Sequence, residues 1–521
     1  MVAQIQPVNL VAPGFLGLNF SQASNLLSPK FCTQAQNCII DSAGRLGARS
    51  GWSLQTTTPL AGTPDIKSIW ERRTGVGGSE TIFSYDGGIS NDIADPLTGD
   101  ISGAVVDADG RWWFQNFNEK TLGFQDGQKP IVYDGTGTFA TVVESSGTAP
   151  TSHRGIALTA YGRVWALGAD GQTIQYTGLL DETNWGGVGA GSIDMTSVWA
   201  DGMDEVTAIV AFNGGLVVFG NRHIIFWIDG QGAQLGIDPD NIFVNDAVTG
   251  TGCVSQWTLQ PVGETDLLYL APNGVQSIQR VILSNSNPVL SLSKKIRNSL
   301  IATIKDITDV DTLRSTYSPI DGFYLLTIPA QVAPQITGQT FVLDQRFRYQ
   351  DEENDLLSIV TTWTLAPTAW LAKDDFTLLL GDTAGVGLYK GATTDNGTSF
   401  RFIYQSPWLD LGEEFADRLK MLKRIGSILF VKNNTDIVFK WNVDFDDGFK
   451  SITRQVDGDA SAEWGGGEWG AAEWSGGLTL RILKIPARAR GQYFRLGIEA
   501  DVNGEFALQQ LELFTKIGRL A

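Results

Sequence analysis

The sequence predicts an all-β protein: a degenerate β-propeller followed by an antiparallel β platform or sandwich-like domain, with few short helices. Three observations predict it. Glycine supplies 60 of the 521 residues, about 12% against a usual ~7%, and it follows no collagen period, so the excess marks tight turns. The 16 Trp and 26 Phe residues supply broad apolar surface that suits a pleated core. From about Ile66 to Gly391 one local pattern keeps returning: an apolar strand, a glycine-containing turn and another strand.

The chain opens with a glycine-punctuated apolar segment, Gly14 to Phe20, then Leu26-Leu27-Ser28-Pro29. The polar Thr33–Asn37 leads into a short apolar run, Cys38-Ile39-Ile40. Asp41–Gly44 is a turn, because Gly accepts φ > 0 and Asp bonds its own backbone. Arg45 to Trp52 alternates like a second strand.

The propeller-like units follow. Ser68–Arg72 leads to Thr81–Gly88, Arg111–Phe114 to Pro130–Gly135, and Gly162–Leu167 to Gly171–Tyr176. Next come Val206–Phe212, Leu216–Phe219 and His223–Trp227, then Asp266–Ala271 with Val275–Ile278. Tyr317–Thr327 with Thr340–Leu343, and Thr377–Asp382 with Gly387–Gly391, complete the series. Turns at Asp86, Asp134, Asp170, Asp229, Asn273 and Asp321 fall 36 to 59 residues apart. That range brackets the ~40–50 residues of a four-stranded blade. A run of β-sandwiches would give similar strands, but no linker interrupts the series.

One helix is expected at Ser291–Ile304, with Ser291 as N-cap and Leu292, Ile296, Leu300 and Ile304 on one face. It reads as packed on the propeller rim. After about Ser399 the character changes. A basic segment, Arg418–Arg424, precedes a strand from Ile425 to Lys432. Asp436–Val443 alternates, with Ile437, Phe439, Trp441 and Val443 on one face. Leu478–Ile485, Gln492–Ile498 and Phe506–Phe514 read as further strands. The expected organisation is an N-terminal β segment over 1–60 that packs with the platform, a propeller-like domain over 61–398 and a C-terminal β domain over 399–521.

The chemistry-bearing inventory is thin. The net charge of −19 repels phosphates and offers no footprint for nucleic-acid binding. Cys32, Cys38 and Cys253 are too few and too uneven for a disulfide framework, and read as buried thiols in a reducing cytoplasm. No basic residue precedes Lys30, so a secretory n-region is missing from this sequence, and no apolar run approaches a membrane span. The two histidines, His153 and His223, sit beside no nucleophile motif and read as structural. There is neither a P-loop nor a G-x-G-x-x-G opening a helix. Asp351–Asp355 reads as a solvated loop, Asp238–Asn241 as a turn, and Asp444–Gly448 as a β-turn lacking the closing Glu of a calcium loop. No catalytic, cofactor-binding or metal-ligating residue is expected.

One low-complexity stretch stands apart. Glu463-Trp464, Glu468-Trp469 and Glu473-Trp474 recur every five residues with small residues between. Period five fits neither helix nor strand, so an extended loop is expected. Its tryptophans need burial, either in their own domain or against another subunit. These six residues are the candidate interface.

The string Gly17-Leu18-Asn19, Pro29, Ala35-Gln36-Asn37, Gly44-Arg45-Leu46 and Arg49-Ser50-Gly51 resembles the N-terminus of the nozzle proteins of short-tailed bacteriophages (tail tubular protein B, or tail stabilisation proteins). It departs from that pattern at Leu16 and Ala48. Gly274–Ile278 before a short helix, and Ser406-Pro407-Trp408-Leu409-Asp410-Leu411, resemble the same family. The resemblance implies a virion protein assembled in the host cytoplasm as a homo-hexamer. It implies binding to the head-to-tail adaptor protein, contact with tail fibres, genome retention, and passage of double-stranded DNA without specific binding. The alternatives from the residues are a propeller hydrolase or carbohydrate-binding protein, or another tail component such as a hub or fibre. In the nozzle reading the acidic excess is expected to line the channel, where it would let duplex DNA slide.

Ordering a glycine-rich loop costs ~1–2 kcal/mol per residue, which burial against a neighbour offsets. Replacing Trp464, Trp469 and Trp474 together by Ala is therefore expected to leave the isolated chain's Tm nearly unchanged while weakening assembly. An early-melting monomer would place the tryptophans in the domain's own core.

Overall fold

Short apolar runs between glycine turns pair with their sequence neighbours, because a tight turn returns the chain beside the strand it just left. The computed structural model describes residues 6–11, 14–75, 77–103, 110–200, 202, 204–229, 237–239, 241–263, 266–278, 292–331, 335–353, 355–383, 385–411, 418–446, 448–458 and 478–520.

The N-terminal segment contains β1 (Gln6–Val11), β2 (Gln34–Gln36), β3 (Cys38–Ile40), β4 (Leu46–Ala48) and β5 (Trp52–Leu54). Blade 1 holds β6 (Ile66–Arg73), β7 (Ser79–Tyr85) and β8 (Gly88–Ser90). Blade 2 holds β9 (Trp113–Phe117), β10 (Lys120–Phe124), β11 (Ile131–Tyr133) and β12 (Ala140–Thr141). Blade 3 holds β13 (Ala157–Ala160), β14 (Arg163–Leu167), β15 (Thr173–Tyr176) and β16 (Gly191–Asp194). Blade 4 holds β17 (Val206–Phe212), β18 (Gly215–Gly220), β19 (His223–Asp229) and β20 (Ile242–Thr249). Blade 5 holds β21 (Gln260–Val262), β22 (Asp266–Ala271) and β23 (Gly274–Ser277), and α1 (Arg297–Lys305) follows it. Blade 6 begins with β24 (Arg314–Ser318), β25 (Phe323–Ile328), β26 (Gln339–Gln350) and β27 (Leu356–Trp363). Blade 7 holds β28 (Ala369–Ala372), β29 (Leu378–Asp382) and β30 (Gly385–Tyr389). The platform adds β31 (Phe400–Gln405), β32 (Arg418–Val431), β33 (Thr435–Val443), β34 (Lys450–Val456), β35 (Thr479–Gly491), β36 (Phe494–Val502) and β37 (Phe506–Leu520).

Seven blades close into a ring, and the cores say so. Strands buried on both faces send alternate residues to opposite sides. Val217 and Phe219 of β18 pack with Tyr269 of blade 5, while Leu216 and Val218 pack with Trp165 of blade 3. Each pair of successive blades encloses a cluster of this kind. Phe114 joins Ile82 between blades 1 and 2, and Phe124 joins Val164 between blades 2 and 3. Tyr324 joins Leu268 between blades 5 and 6, and Phe323 joins Trp370 between blades 6 and 7. Leu379 of blade 7 meets Ile69 of blade 1, which completes the circle. The all-β class and its propeller-plus-platform architecture are those the sequence predicts. The turn marks sit at different places in different blades: Asp86 between β7 and β8, Asp170 between β14 and β15, Asp321 between β24 and β25. Their uneven spacing partly reflects that.

The N-terminal segment supplies strands to three sheets. β5 is the outer strand of blade 7, with Trp52 opposite Tyr389 and Leu54 opposite Gly387. A strand from one end of the chain thus fastens the last blade. β2 lies between β27 of blade 6 and β31 of the platform. Blade 6 therefore runs without a break into β31-β36-β33-β34. The second platform sheet is β3-β4-β37-β32-β35, with β1 also on β37. Its inner residues Ile425, Ile485 and Leu513 meet Phe439 and Ile498 of the first sheet.

The hairpin β3–β4 turns at Asp41–Gly44, where the Asp41 carboxylate accepts from the Ala43 and Arg45 amides and Gly44 takes φ +75°. The helix is shorter than expected. A 3₁₀ turn at Lys294–Ile296 precedes α1, and Ile296 rather than Ser291 holds the N-cap position. Ser291 lies outside the described residues. Leu292, Ile296 and Leu300 are buried in the core that joins blades 5 and 6 to the platform. The basic Arg418–Arg424 segment does not precede a strand; it is the first half of the fourteen-residue β32.

A buried polar node ties these parts together. Arg49 is 2% exposed and makes a bidentate pair with Asp395 at 2.7 and 2.6 Å. Its Nε donates to Asn37 Oδ1 at 3.0 Å, and its guanidinium stacks 4.0 Å over the Phe400 ring. Asn37 Nδ2 donates to Thr364 Oγ1 and to the Arg401 carbonyl. The chain that follows blade 6, the chain that follows blade 7 and the first platform strand meet here. Removing one partner of a buried ion pair strands the other charge, at a cost of about 3–5 kcal/mol. Arg49→Met is expected to lower urea-unfolding stability by about 3 kcal/mol, because Asp395 keeps some solvent. Adding Asp395→Asn should recover part of that loss.

Candidate functional site

The stretches singled out in the sequence come together at the junction of blade 6, α1 and the platform. Gly17 lies against β27: its φ is +83°, and an added Cβ would sit 2.7 Å from the Val360 carbonyl oxygen. Only glycine fits such an approach. The Leu18 amide donates to that same carbonyl at 3.0 Å. Asn19 is buried, and its Oδ1 accepts from the Ser21 amide and hydroxyl, which turns the chain. The turn carries Ser24 to Trp408, whose amide donates to the Ser24 carbonyl at 3.0 Å.

Between these walls lies a cleft of ≈790 Å³. Asn19, Gln22 and Asn25 line one side, Leu26 to Phe31 another, and Trp408 to Leu411 a third. Tyr349 to Glu353, with Lys295, complete the lining. The aromatic rings are committed to one another. Phe31 meets Tyr349 edge-on with centroids 6.1 Å apart, and Trp408, 7% exposed, packs on Phe445 at 4.8 Å. Burial pushes the Tyr349 hydroxyl pKa upward, and nearby Asp351 adds to that.

Asp351–Asp355 is expected as a solvated loop; Glu352 and Glu353 are exposed as expected, but the Asp351 and Asp355 carboxylates are withdrawn from solvent. Lys294 Nζ sits among three carboxylates, 3.2 Å from Asp351, 2.6 Å from Glu353 and 2.8 Å from Asp355. Asp355 is 5% exposed. The three acids lie close enough to share a cation, and the Lys294 ammonium is that cation. Burial pushes the Asp351 carboxyl up, but the Asp355 and Glu353 amides and Lys294 outweigh it and hold it below the usual carboxylate range. Desolvation opposes the charge on Lys294, yet Asp355, Glu353 and Asp351 raise its pKa above the ordinary lysine value. The arrangement is an ion clamp joining α1's 3₁₀ turn to the β26–β27 loop.

The histidines are each paired with a carboxylate. His153 Nε2 lies 2.8 Å from Glu205, and His223 Nδ1 lies 2.8 Å from Asp204. Burial raises the Asp204 pKa, but His223 and the amides of Arg222, Glu205 and Asn221 outweigh it. Asp204 thereby fastens the β18–β19 turn. Burial pushes the Cys253 thiol up to about 11 and raises Cys32 and Cys38 well above the ordinary thiol value, which makes all three poor nucleophiles. Asp444 Oδ1 accepts from the Gln492 and Tyr493 amides, so this carboxylate holds a strand junction. Asp238 and Asn241 form a turn closed by side-chain and backbone hydrogen bonds. Glu463, Trp464, Glu468, Trp469, Glu473 and Trp474 all lie outside the described residues.

One feature sequence reasoning missed is the outward face of the β35–β32–β37 sheet. Lys484, Arg488 and Arg490 are exposed on β35, Lys423 on β32 and Lys516 on β37. The run Lys484-Ile485-Pro486-Ala487-Arg488-Ala489-Arg490, with its cations on one phase and small or apolar residues on the other, is the signal that could have found it.

Neither protein-family models nor curated proteins give a match. Among solved structures, the chain is similar to an extracellular domain described as that of a one component system from B. thetaiotaomicron. The TM-score is 0.40 at 12% identity, over 90% of this chain and 63% of that one, so this chain spans less than two thirds of that neighbour. A glycoside hydrolase family 43 arabinoxylan arabinofuranohydrolase from Bacillus subtilis aligns at TM-score 0.20 and 9% identity, over 88% and 80% of the two chains. TmCBM61 in complex with β-1,4-galactotriose aligns at TM-score 0.14 and 11% identity, over 24% and 66%. Likeness at this level carries no argument about this chain's activity.

The clamp yields a pH prediction. Asp351's folded pKa is depressed, so its contribution is full above the unfolded value of ~3.9 and is lost as pH falls through the folded pKa. Lys294's folded pKa is raised, so its contribution is full below ~10.4 and is lost only as pH rises through the folded value. Lys294→Met is expected to cost about 1 kcal/mol at neutral pH, discounted for partial exposure. The difference in Tm from wild type should narrow below about pH 4, as followed by thermal melts from pH 3 to pH 8.

Proposed function

We propose that this chain is the subunit of a structural ring in a virion, the nozzle of a short phage tail. One observation carries the reading. The stretches that resemble the nozzle family, Gly17 to Gly51 and Ser406 to Leu411, lie far apart in sequence and pack where propeller meets platform: Gly17 to Thr33 beside Ser406 to Leu411, and Asn37 to Gly51 against Thr364, Thr394, Asp395 and Arg401. The motif residues are joining residues: Gly17 admits β27, Asn37 and Arg49 form the node, and Gly51 lets the Thr394 backbone approach. A motif made of joints suits a load-bearing part better than an enzyme. The work is then mechanical. Six copies would enclose a conduit beneath the portal adaptor, retain the genome and pass it without covalent chemistry, metal or cofactor.

A second reading, a carbohydrate-binding propeller with or without hydrolase activity, is favoured by the cleft. Its Gln22 and Asn25 amides are polar groups of the kind that fix sugar hydroxyls. The committed Trp408 and Phe31 rings weigh against it, since sugar faces stack on open aromatic surfaces.

Native mass spectrometry of the chain co-expressed with its adaptor tests the first reading. Six copies of the 56.4 kDa chain are expected per assembly. A trimer or a dodecamer of this chain would overturn it. Saturable glycan binding abolished by Gln22→Ala with Asn25→Ala, without assembly, would favour the second.

A further inference from the structure

The outward face of the β35–β32–β37 sheet is basic in an acidic protein. Met421 stands between Arg490 of β35 and Lys516 of β37, while Arg424 stands between Pro486 and Phe514. Lys484 and Arg488 extend the row on β35, and Lys423 lies at the β32 bulge. Residues two apart on a strand share a face and lie about 7 Å apart, so these cations form a strip. Among the described residues, Lys423, Lys484, Arg488, Arg490 and Lys516 make no ion pair; Arg424 lies 4.3 Å over the Phe514 ring. Glu512 is the one acid on the described part of this face. The strip continues into exposed apolar surface, with Leu480 44%, Ile482 62% and Met421 40% exposed. The opposite face holds Ile485, Ala487 and Ala489 in the core, so the fold gains nothing by pointing cations outward.

Like charges on one plane repel, and a lone domain would intersperse acids to relieve them. The acids are elsewhere. The chain carries 57 acidic and 38 basic residues, so the surface outside the strip is more acidic than the net −19 suggests. One acidic region is the rim of blades 2 to 4. Asp126, Asp170 and Asp194 are exposed there without an ion pair, Asp170 and Asp194 also accepting from the Gln172, Thr173 and Thr196 amides, and Glu205 pairs with His153 and acts on Arg154. These groups are contiguous: Asp126 accepts from the Arg154 amide, His153 and Glu205 flank Gly171, and Asp170 acts on Asp194.

We propose that the strip docks on this acidic rim of a second copy of the chain. A single-sign strip cannot face itself, so strip does not meet strip across a two-fold axis. Strip on rim made once per subunit is a head-to-tail contact, and such contacts generate rings or filaments, whereas the same contact made reciprocally would close a two-fold dimer. Exposed Leu480 and Ile482 supply the dry part of the contact, which a duplex partner would not use, and the charges set orientation and partner choice. The proposal rests on the ring reading for its biological setting but not for its chemistry.

Sedimentation of the full chain across a salt series, alone and with its adaptor, tests it. Wild type is expected to self-associate at low salt and to lose affinity as salt rises. Arg488→Glu with Arg490→Glu should weaken association by about tenfold or more at unchanged Tm, since both side chains are exposed and unpaired. Combining them with Asp170→Lys and Asp194→Lys should restore it. Association that ignores the reversal overturns the proposal, as does a wild type that stays monomeric at low salt. Loss of duplex DNA binding on reversal, with self-association intact, also overturns it and makes the strip a nucleic-acid face. A stoichiometry other than six that obeys the charge reversal and rescue sinks the nozzle reading alone. Arg488→Gln with Arg490→Gln, which adds no repulsion, should weaken association less than the reversal.

Discussion

Everything in this chain hangs on Arg49 being buried. A guanidinium taken out of water needs its charge met and its donors satisfied, or the fold does not tolerate it. Asp395 meets the charge, Asn37 and the Ser50 carbonyl take donors, and Phe400 offers its ring face. Those partners come from the N-terminal segment, from the chain after blade 7 and from the first strand of the platform. The node can form only when all three are in place. It therefore couples ring closure to platform docking, two events that hydrophobic packing alone would leave independent.

The same economy governs the propeller's closure. A ring of blades has one seam, and a seam held only by side-chain packing can open. Here β5 crosses it, so opening blade 7 requires breaking the main-chain ladder between Trp52 and Tyr389 as well as the Trp52–Trp363 core. Trp363 stacks on Tyr389 with centroids 5.5 Å apart, which binds blade 6 to the same seam. Because β2 also splices blade 6 to the platform, one short segment fixes both the ring and its attachment.

The sequence was legible where structure is local. Strands such as Leu267–Leu270 are continuous apolar runs because neighbouring blades bury both faces, and their turns carry Gly or Asp for conformational reasons. A three-residue strand is legible only where a turn beside it pairs it locally, as Cys38–Ile40 pairs with Leu46–Ala48. Gln34-Ala35-Gln36 has too few positions to show a period, and it pairs with strands hundreds of residues later. Asp351–Asp355 was misread for a related reason. Adjacent acids ordinarily seek water, and nothing nearby in sequence announces that Lys294 will fold over them. The polar node shows the converse. Asn37 and Arg49 were visible as motif members, but their shared role depends on Asp395, which no local pattern singles out. The strip of cations on β35 was open to view as an alternation, and it was passed over because the basic residues are diluted in an acidic total.

That dilution bears on how a conduit of such chains would behave. Duplex DNA carries one negative charge per ~1.7 Å, and a wall with the chain's average charge repels it. If the cations meet acids between subunits, as proposed, they are removed from any duplex-facing surface, and because the acids they meet go with them the net charge left stays near the chain's −19. Assembly would then take out of DNA's reach the groups that could hold its phosphates. Salt acts on the two effects in the same sense: it loosens the subunit contact and screens the wall. A conduit made this way works best at an ionic strength low enough to hold the ring together, and it owes its low friction to charges that same ionic strength leaves unscreened. The two requirements point in one direction, so a single uneven distribution of charge can serve both.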